Sequence, residues 1–191
     1  CIRDSYECDL ACGDDCIAIK SGRDGNGARV NRKSSRIEVA RCKIRSGYGV
    51  TIGSEVSAGV SDVYIHDIDF FQSDCGIRMK SSKERGGVIE NIRVENLNMI
   101  DVQFPFSWIM DWHNEYNRKN SNDLAQMPES WQAVAEEIPE SKQMTKVKDI
   151  HIKNVQACLS PGYSLPSRAF DLVAFPEKPI EDCLLYTSPS P

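Results

Sequence analysis

Two adjacent carboxylates, Asp14 and Asp15, sit in Gly13-Asp14-Asp15-Cys16-Ile17-Ala18-Ile19-Lys20-Ser21, just ahead of a short alternating strand. Paired acids can do general acid–base work, one carboxyl donating a proton to a leaving oxygen while the other activates water. Two cations, Arg78 and Lys80, stand one residue apart in Gly76-Ile77-Arg78-Met79-Lys80-Ser81. An arginine offers an anion a planar fork, and a lysine a point charge. A third stretch, Tyr48-Gly49-Val50-Thr51-Ile52-Gly53-Ser54, ends on the same residue as the other two. Aligned on that serine, Val50 and Ile77 fall under Ile17, and Ile52 and Met79 under Ile19. Arg78 then falls under Ala18, and Lys80 under Lys20. Because strand side chains alternate between faces, one outward face carries two acids at one end and cations further along. An acidic turn and a solvated basic face would explain each pair singly. Their convergence on one face favours a site.

The rest of the chain reads as the device that stacks these strands. One family of segments alternates apolar and polar residues, with a polar pair before the last apolar one. It comprises Ile37 to Ile44, Val63 to Ile68, Ile92 to Leu97 and Ile150 to Val155, with Ile2 to Tyr6 as a frayed start. A second family follows each in turn: Cys16 to Ser21, Val50 to Ser54, Ile77 to Ser81, Phe106 to Trp112 and Phe170 to Phe175. Recurrence at a period of about thirty residues is the mark of a solenoid, in which each coil buries its face only against its neighbours. The expected fold is all-β, a right-handed single-stranded parallel β-helix with about five coils. A β-sandwich is the alternative.

The period breaks between Trp112 and Lys146, where a polar insertion carries aromatics and a short helical stretch, Ser130 to Glu137, with Ser130 as its cap. Trp112, at the edge of this insertion, is a candidate for stacking on a ligand, and Trp108 for packing in the stack. Gly22 to Ser35 reads as a loop. His66, His113 and His151 read as structural, and Ser54 and Glu55 as closing a turn. Cys8, Cys12 and Cys16 lie four apart, but no histidine is near and strand geometry should splay them, so no metal is expected. Cys16, Cys42 and Cys75 read as small buried residues. The final segment, CLLYTSPSP from Cys183 to Pro191, is expected to fit no strand. It resembles the in-frame translation of a sequencing-library adapter. The domain is therefore expected to span 1–182, cut at both ends, with 183–191 a non-native tail.

Composition bounds the function. The 191 residues carry a net charge of -5 with 40% hydrophobic content, enough for a core but without the basic stripe that nucleic acid demands. No run approaches the length of a membrane span.

GDDCIAIKSG at Gly13, GYGVTIGSE at Gly47 and GIRMKS at Gly76, in this order and one strand apart, resemble the active-site motifs of glycoside hydrolase family 28, the polygalacturonase family. RGGVIENIRVENL from Arg85 to Leu97 is similar to its bacterial members. The resemblance implies a right-handed parallel β-helix that cleaves α-linked galacturonic acid polymers, or rhamnogalacturonan, by inversion and without a metal or other cofactor. It implies Asp14 as general acid, Asp15 as an aid to water activation, and Arg78 and Lys80 as binders of the sugar carboxylate, with Met79 where the family has Ile. Two strands at about 4.8 Å each separate Arg78 from Asp14 by roughly 10 Å, which suits a neighbouring sugar. Tyr48 takes the place of the family histidine and offers a phenol to a carboxyl or sugar hydroxyl. Lys20 is a further candidate substrate contact. A third family aspartate, in an N-T-D-type motif before GDD, falls ahead of Cys1, and residues 1–191 alone are expected not to hydrolyse pectin. The implied partner is a pectic polysaccharide or oligosaccharide met by a monomer, with no nucleic acid and no membrane, in a secreted or periplasmic setting. A non-catalytic polyuronate-binding β-helix and a calcium-dependent, pectate-lyase-like enzyme are the other readings.

Overall fold

The computed structural model describes residues 3–112, 128–134 and 138–186. In chain order the elements are β1 (Arg3–Tyr6), β2 (Asp9–Leu10), β3 (Ile17–Ile19), α1 (Asp24–Val30), β4 (Ser34–Ala40), β5 (Lys43–Ile44) and β6 (Val50–Gly53). Then come β7 (Val60–Phe71), β8 (Cys75–Lys80), β9 (Val88–Ile100), β10 (Phe104–Ile109), α2 (Glu129–Val134), a 3-10 turn (Glu140–Lys142), β11 (Lys146–Cys158), β12 (Phe170–Val173) and β13 (Ile180–Tyr186). Every pairing between these strands is parallel. One sheet runs β1-β4-β7-β9-β11-β13, with β2 and β5 beside it, and the other runs β12-β10-β8-β6-β3. The chain alternates between the two as it climbs. The result is the right-handed parallel β-helix that the period implies.

The serine alignment holds at the level of register. Ile17 pairs with Val50 and Val50 with Ile77; Ile19 pairs with Ile52 and Ile52 with Met79. These inward residues join Val39, Ile65, Val94, Ile150 and Trp108 in one buried core. The polar pair in the first family has a structural meaning. Its second member is Asp67, Asn96 or Asn154, and each adopts a positive φ of 53–55°. Asp and Asn tolerate that left-handed backbone better than other non-glycine residues. Each therefore turns a corner within a long strand, and the corners stack: Asn96 Nδ2 donates to Asp67 Oδ1 at 2.9 Å, and Asn154 Nδ2 to Asn96 Oδ1 at 2.7 Å.

Three expectations change. Asp24–Val30 within the Gly22 to Ser35 stretch is a helix, α1, not a loop. Its glycines, poor helix formers, hide it in the sequence. Gly27 is there for close packing, since a Cβ on it would meet the Gly22 carbonyl carbon at 2.5 Å. The α2 helix begins at Glu129, one residue before the expected cap, and residues 135–137 lie outside the described set. Cys183–Tyr186 do not stand apart from the strands. They end β13, with Cys183 opposite Ile150 and Leu185 opposite Ile152, following a corner at Asp182 with φ 49°. His113 and residues 187–191 lie outside the described residues.

His66 is structural in its contacts. Its Nδ1 lies 2.7 Å from Asp67 Oδ2 and its Nε2 2.9 Å from Glu38 Oε1, and its ring stacks on Tyr64 at 4.0 Å. Glu95 of β9 stands opposite it in register, and Arg41 lies near both acids. Burial opposes charge on the ring, but the bonds to Glu38 and Asp67 outweigh it and raise the imidazole pKa. The Tyr6 hydroxyl and then His66 hold Glu38 low, and His66 with Asn96 lowers Asp67. A raised histidine contributes stability that is full below about 6.5 and is lost as pH rises through its folded value. The lowered acids contribute above about 4.5 and lose it as pH falls. The cluster should therefore stabilise most between about pH 4.5 and 6.5. His66→Gln should shrink the drop in Tm between pH 6 and pH 8.5. An undiminished drop would remove His66 as its source.

Candidate active site

The cation row lies on the outer face of the second sheet. Parallel pairing places Thr51 over Arg78 and Gly53 over Lys80, so both cations project beside the turn that precedes β3. A Cβ on Gly49, whose φ is +65°, would stand 2.1 Å from the Gly76 carbonyl oxygen, so only glycine lets the coils close here. The same carbonyl row anchors the acid turn, because the N–H groups of Cys16 and Ile17 donate to Gly49 O at 3.1 and 3.2 Å.

Asp14 and Asp15 are adjacent but live in different surroundings. Asp15 is tucked in, with its side chain 9% exposed. Arg78 Nη1 donates to its Oδ1 at 3.2 Å, Lys80 Nζ to its Oδ2 at 2.7 Å, and Thr51 Oγ1 to its Oδ1 at 2.7 Å. Asp14 is exposed, its Oδ1 accepting the N–H of Asp15 at 2.8 Å. Arg78 is sandwiched between rings, its guanidinium carbon 4.3 Å from the Tyr48 centroid and 4.4 Å from that of Trp112. Lys80 Nζ lies 5.6 Å from the Trp112 ring. Cation–ring contact of this kind fixes the fork's plane. Tyr48 is itself positioned by its N–H, which donates to the Asp14 carbonyl at 3.0 Å.

Beside them opens a cleft of about 520 Å³ lined by Gly13, Asp14, Tyr48, Arg78, Lys80 and Trp112. Arg23, Ser54, Glu55 and Arg85 complete it. Its lining holds four cationic side chains, Arg23, Arg78, Lys80 and Arg85, with Asp14 and Glu55, and Asp15 and Asp24 are bonded to those cations. Guanidinium and ammonium donors gathered in this way suit an anionic ligand.

The structure brings Asp14, Asp15, Tyr48, Arg78 and Lys80 together as the sequence alignment placed them. It does not place Lys20 with them. Lys20 Nζ lies 2.6 Å from Glu55 Oε2, and Glu55 rather than Lys20 lines the cleft. That bond and burial compete at Glu55, and the lysine prevails, keeping its pKa below the ordinary value. Trp112 lies against the two cations. His151 bonds to Asp149 at 2.9 Å, far in sequence from this cleft. Sequence reasoning missed Arg23, Glu55 and Arg85 as cleft residues. Arg85 and Asp24 form a buried ion pair, each side chain 2% exposed, which ties the start of α1 to the coil below. Nothing in the strand period singles out residues that reach the cleft from turns. The thiols were misplaced too. Cys12 and Cys16 do not splay: their sulfurs lie 3.3 Å apart, while Cys8 Sγ turns to the Tyr6 carbonyl at 3.3 Å. Cys16 is half-buried, whereas Cys42 and Cys75 are buried as expected.

Comparison with known proteins places this architecture. The profile of Glycosyl hydrolases family 28 matches residues 6–159. The chain belongs to that family. A probable polygalacturonase of Vitis vinifera is 34% identical over 102 residues, covering 52% of this chain and 21% of the relative. An endo-polygalacturonase of Pectobacterium parmentieri is 31% identical over 96 residues, covering 50% of this chain and 22% of the relative. The matched stretch thus spans about a fifth of these relatives. Among solved structures, the family 28 exopolygalacturonase of Yersinia enterocolitica superposes with a TM-score of 0.67 at 19% identity, covering 88% of this chain and 26% of the other. The hyperthermoactive exopolygalacturonase of Thermotoga maritima gives 0.63 at 24% identity, covering 82% and 30%. Both likenesses are of fold.

Proposed function

We propose that this family 28 chain carries the acid-bearing, uronate-holding coils of an inverting hydrolase of α-linked galacturonate polymers. The observation that carries the reading is one cleft that pairs an exposed carboxyl, Asp14, with a stacked guanidinium, Arg78, and an ammonium, Lys80. A uronate polymer supplies a carboxylate for the cations and a glycosidic oxygen for the acid. Inversion needs a donor carboxyl on one side of the scissile bond and a base for water on the other. Asp14, open to the cleft, is the proton donor. Asp15 sits deeper, held by three donors, and orients the water while keeping both cations in place. One of Arg78's five donors goes to Asp15, so its fork can serve a sugar carboxylate as well. Tyr48 holds the fork's plane and presents its hydroxyl to the sugar. Lys20 acts at one remove, by fixing Glu55 in the wall. A polymer of this kind is met outside the cell, so export is expected.

The test splices residues 6–159 between the flanking coils of a family relative and follows polygalacturonate. New reducing ends, with the β-anomer formed first from the α-linked chain, are expected. A product with an ultraviolet-absorbing double bond would replace hydrolysis with a lyase reaction. Binding without either product would make the site non-catalytic.

A further inference from the structure

The turn that presents Asp14 and Asp15 is bracketed by two thiols. Cys12 Sγ and Cys16 Sγ are 3.3 Å apart, Cys12 exposed and Cys16 half-buried. Their attachment points are fixed by the coil below. The Cys12 N–H donates to Ser46 Oγ at 3.0 Å, and Ser46 Oγ donates back to the Cys12 carbonyl at 2.9 Å. The Cys16 N–H is held by Gly49 O at 3.1 Å, and its thiol donates to the Ser46 carbonyl at 3.0 Å. At the apex, a Cβ on Gly13 would meet nothing within 4 Å, so the turn has room to adjust. Closing a bond needs the sulfurs to approach by about 1.3 Å, which thiol rotation and a small turn adjustment supply.

We propose that Cys12 and Cys16 are a reversible dithiol–disulfide site framing the Asp14–Asp15 turn, oxidised by small-molecule disulfides. Cys12, the more exposed, reacts first. Its thiolate attacks one sulfur of the oxidant, the oxidant's S–S bond breaks, and one small thiolate leaves and takes a proton from water. Cys16 then gives its proton to solvent and attacks the Cys12 sulfur, expelling the second small thiolate. The protein loses two protons and two electrons, and the oxidant becomes two thiols. Burial, together with its contact with Cys12 and the charge of a Cys12 thiolate, pushes the Cys16 thiol up to about 12. Forming the mixed disulfide removes Cys12's charge and its bond, which eases the second step. The bridge also changes the acid turn. Cys12 Sγ now donates to the Asp14 carbonyl at 3.0 Å, the same oxygen that accepts the Tyr48 N–H. Oxidation withdraws that donor and closes a short ring around both acids. An effect on turnover rests on the hydrolase reading, whereas formation of the bridge does not.

The test is alkylation mapping of the 191-residue chain after incubation with excess oxidised glutathione. The tryptic peptide Asp4 to Lys20 holds Cys8, Cys12 and Cys16. Before oxidation it should take three alkyl groups. Afterwards it should take one, on Cys8, with a mass loss of about 2 Da in the native-state digest reversed by a dithiol. Amide exchange at Gly13 to Asp15 should slow about tenfold on oxidation in the parent and not in Cys16→Ser. Three alkyl groups after oxidation, or a bridge from Cys12 or Cys16 to Cys8 or Cys42, would overturn the proposal. Because mapping uses the parent chain, a variant that folds poorly does not affect it.

Discussion

Asp14→Asn should lower kcat on polygalacturonate by about 10²–10⁴-fold in the spliced enzyme, with KM nearly unchanged. The amide keeps the shape of the side chain and its acceptor for the Asp15 N–H, but it has no acidic proton to give. The exposure of Asp14 is what makes the separation of kcat from KM sharp, because among the described residues Asp14 carries no ion pair whose loss would unsettle the cleft. Asp15→Asn should behave differently. Its carboxylate joins Arg78, Lys80 and Thr51, so its loss should raise KM as well as lower kcat. Equal kcat for Asp14→Asn and parent would take the proton-donor role away from Asp14.

Arg78→Ala should weaken binding of acidic oligosaccharides by on the order of 2–5 kcal/mol, roughly thirtyfold to several-thousandfold. The guanidinium is 6% exposed and held by two rings and Asp15, so little reorganisation is needed for it to meet a ligand. Removing it leaves Asp15 bonded to Lys80 and Thr51, so the fold should survive, and a melting curve checks this. Arg78→Lys keeps the charge but loses the fork and the planar stacking, so it should recover only part of the affinity. Unchanged affinity in Arg78→Ala would remove the residue from the site.

Much of this was legible because a solenoid repeats its rule. The alternation Ile-Val-Cys-Ile, Val-Ile-Ile and Ile-Val-Leu fixed which side chains point inward, and the shared serine set the register that puts Thr51 over Arg78. The corners were legible as polar pairs, although only the backbone at Asp67 and Asn96 reveals why those pairs recur. A second corner row, Asp62, Asn91 and Asp149, each at positive φ just before an apolar residue, continues at Asp182, a signal that the unusual composition of the last residues obscured. What stayed hidden came from turns. Arg23 and Glu55 reach the cleft from connections whose conformation the strand period does not encode. Lys20 shares a row with Lys80, but a shared row says nothing about a nearer acid, and the structure pairs Lys20 with Glu55. Cys12 and Cys16 looked separated on a strand, but a turn at Gly13 folds them together.

The central claim is that this cleft holds a polyuronate by its carboxylates. The most direct measurement is calorimetric titration of the 191-residue chain with trigalacturonate and with its methyl ester, at low and moderate salt. The acid form should bind, its affinity should fall as salt rises, and the ester should bind at least tenfold more weakly, since it offers Arg78 and Lys80 no charge. Equal affinity for acid and ester would contradict the claim.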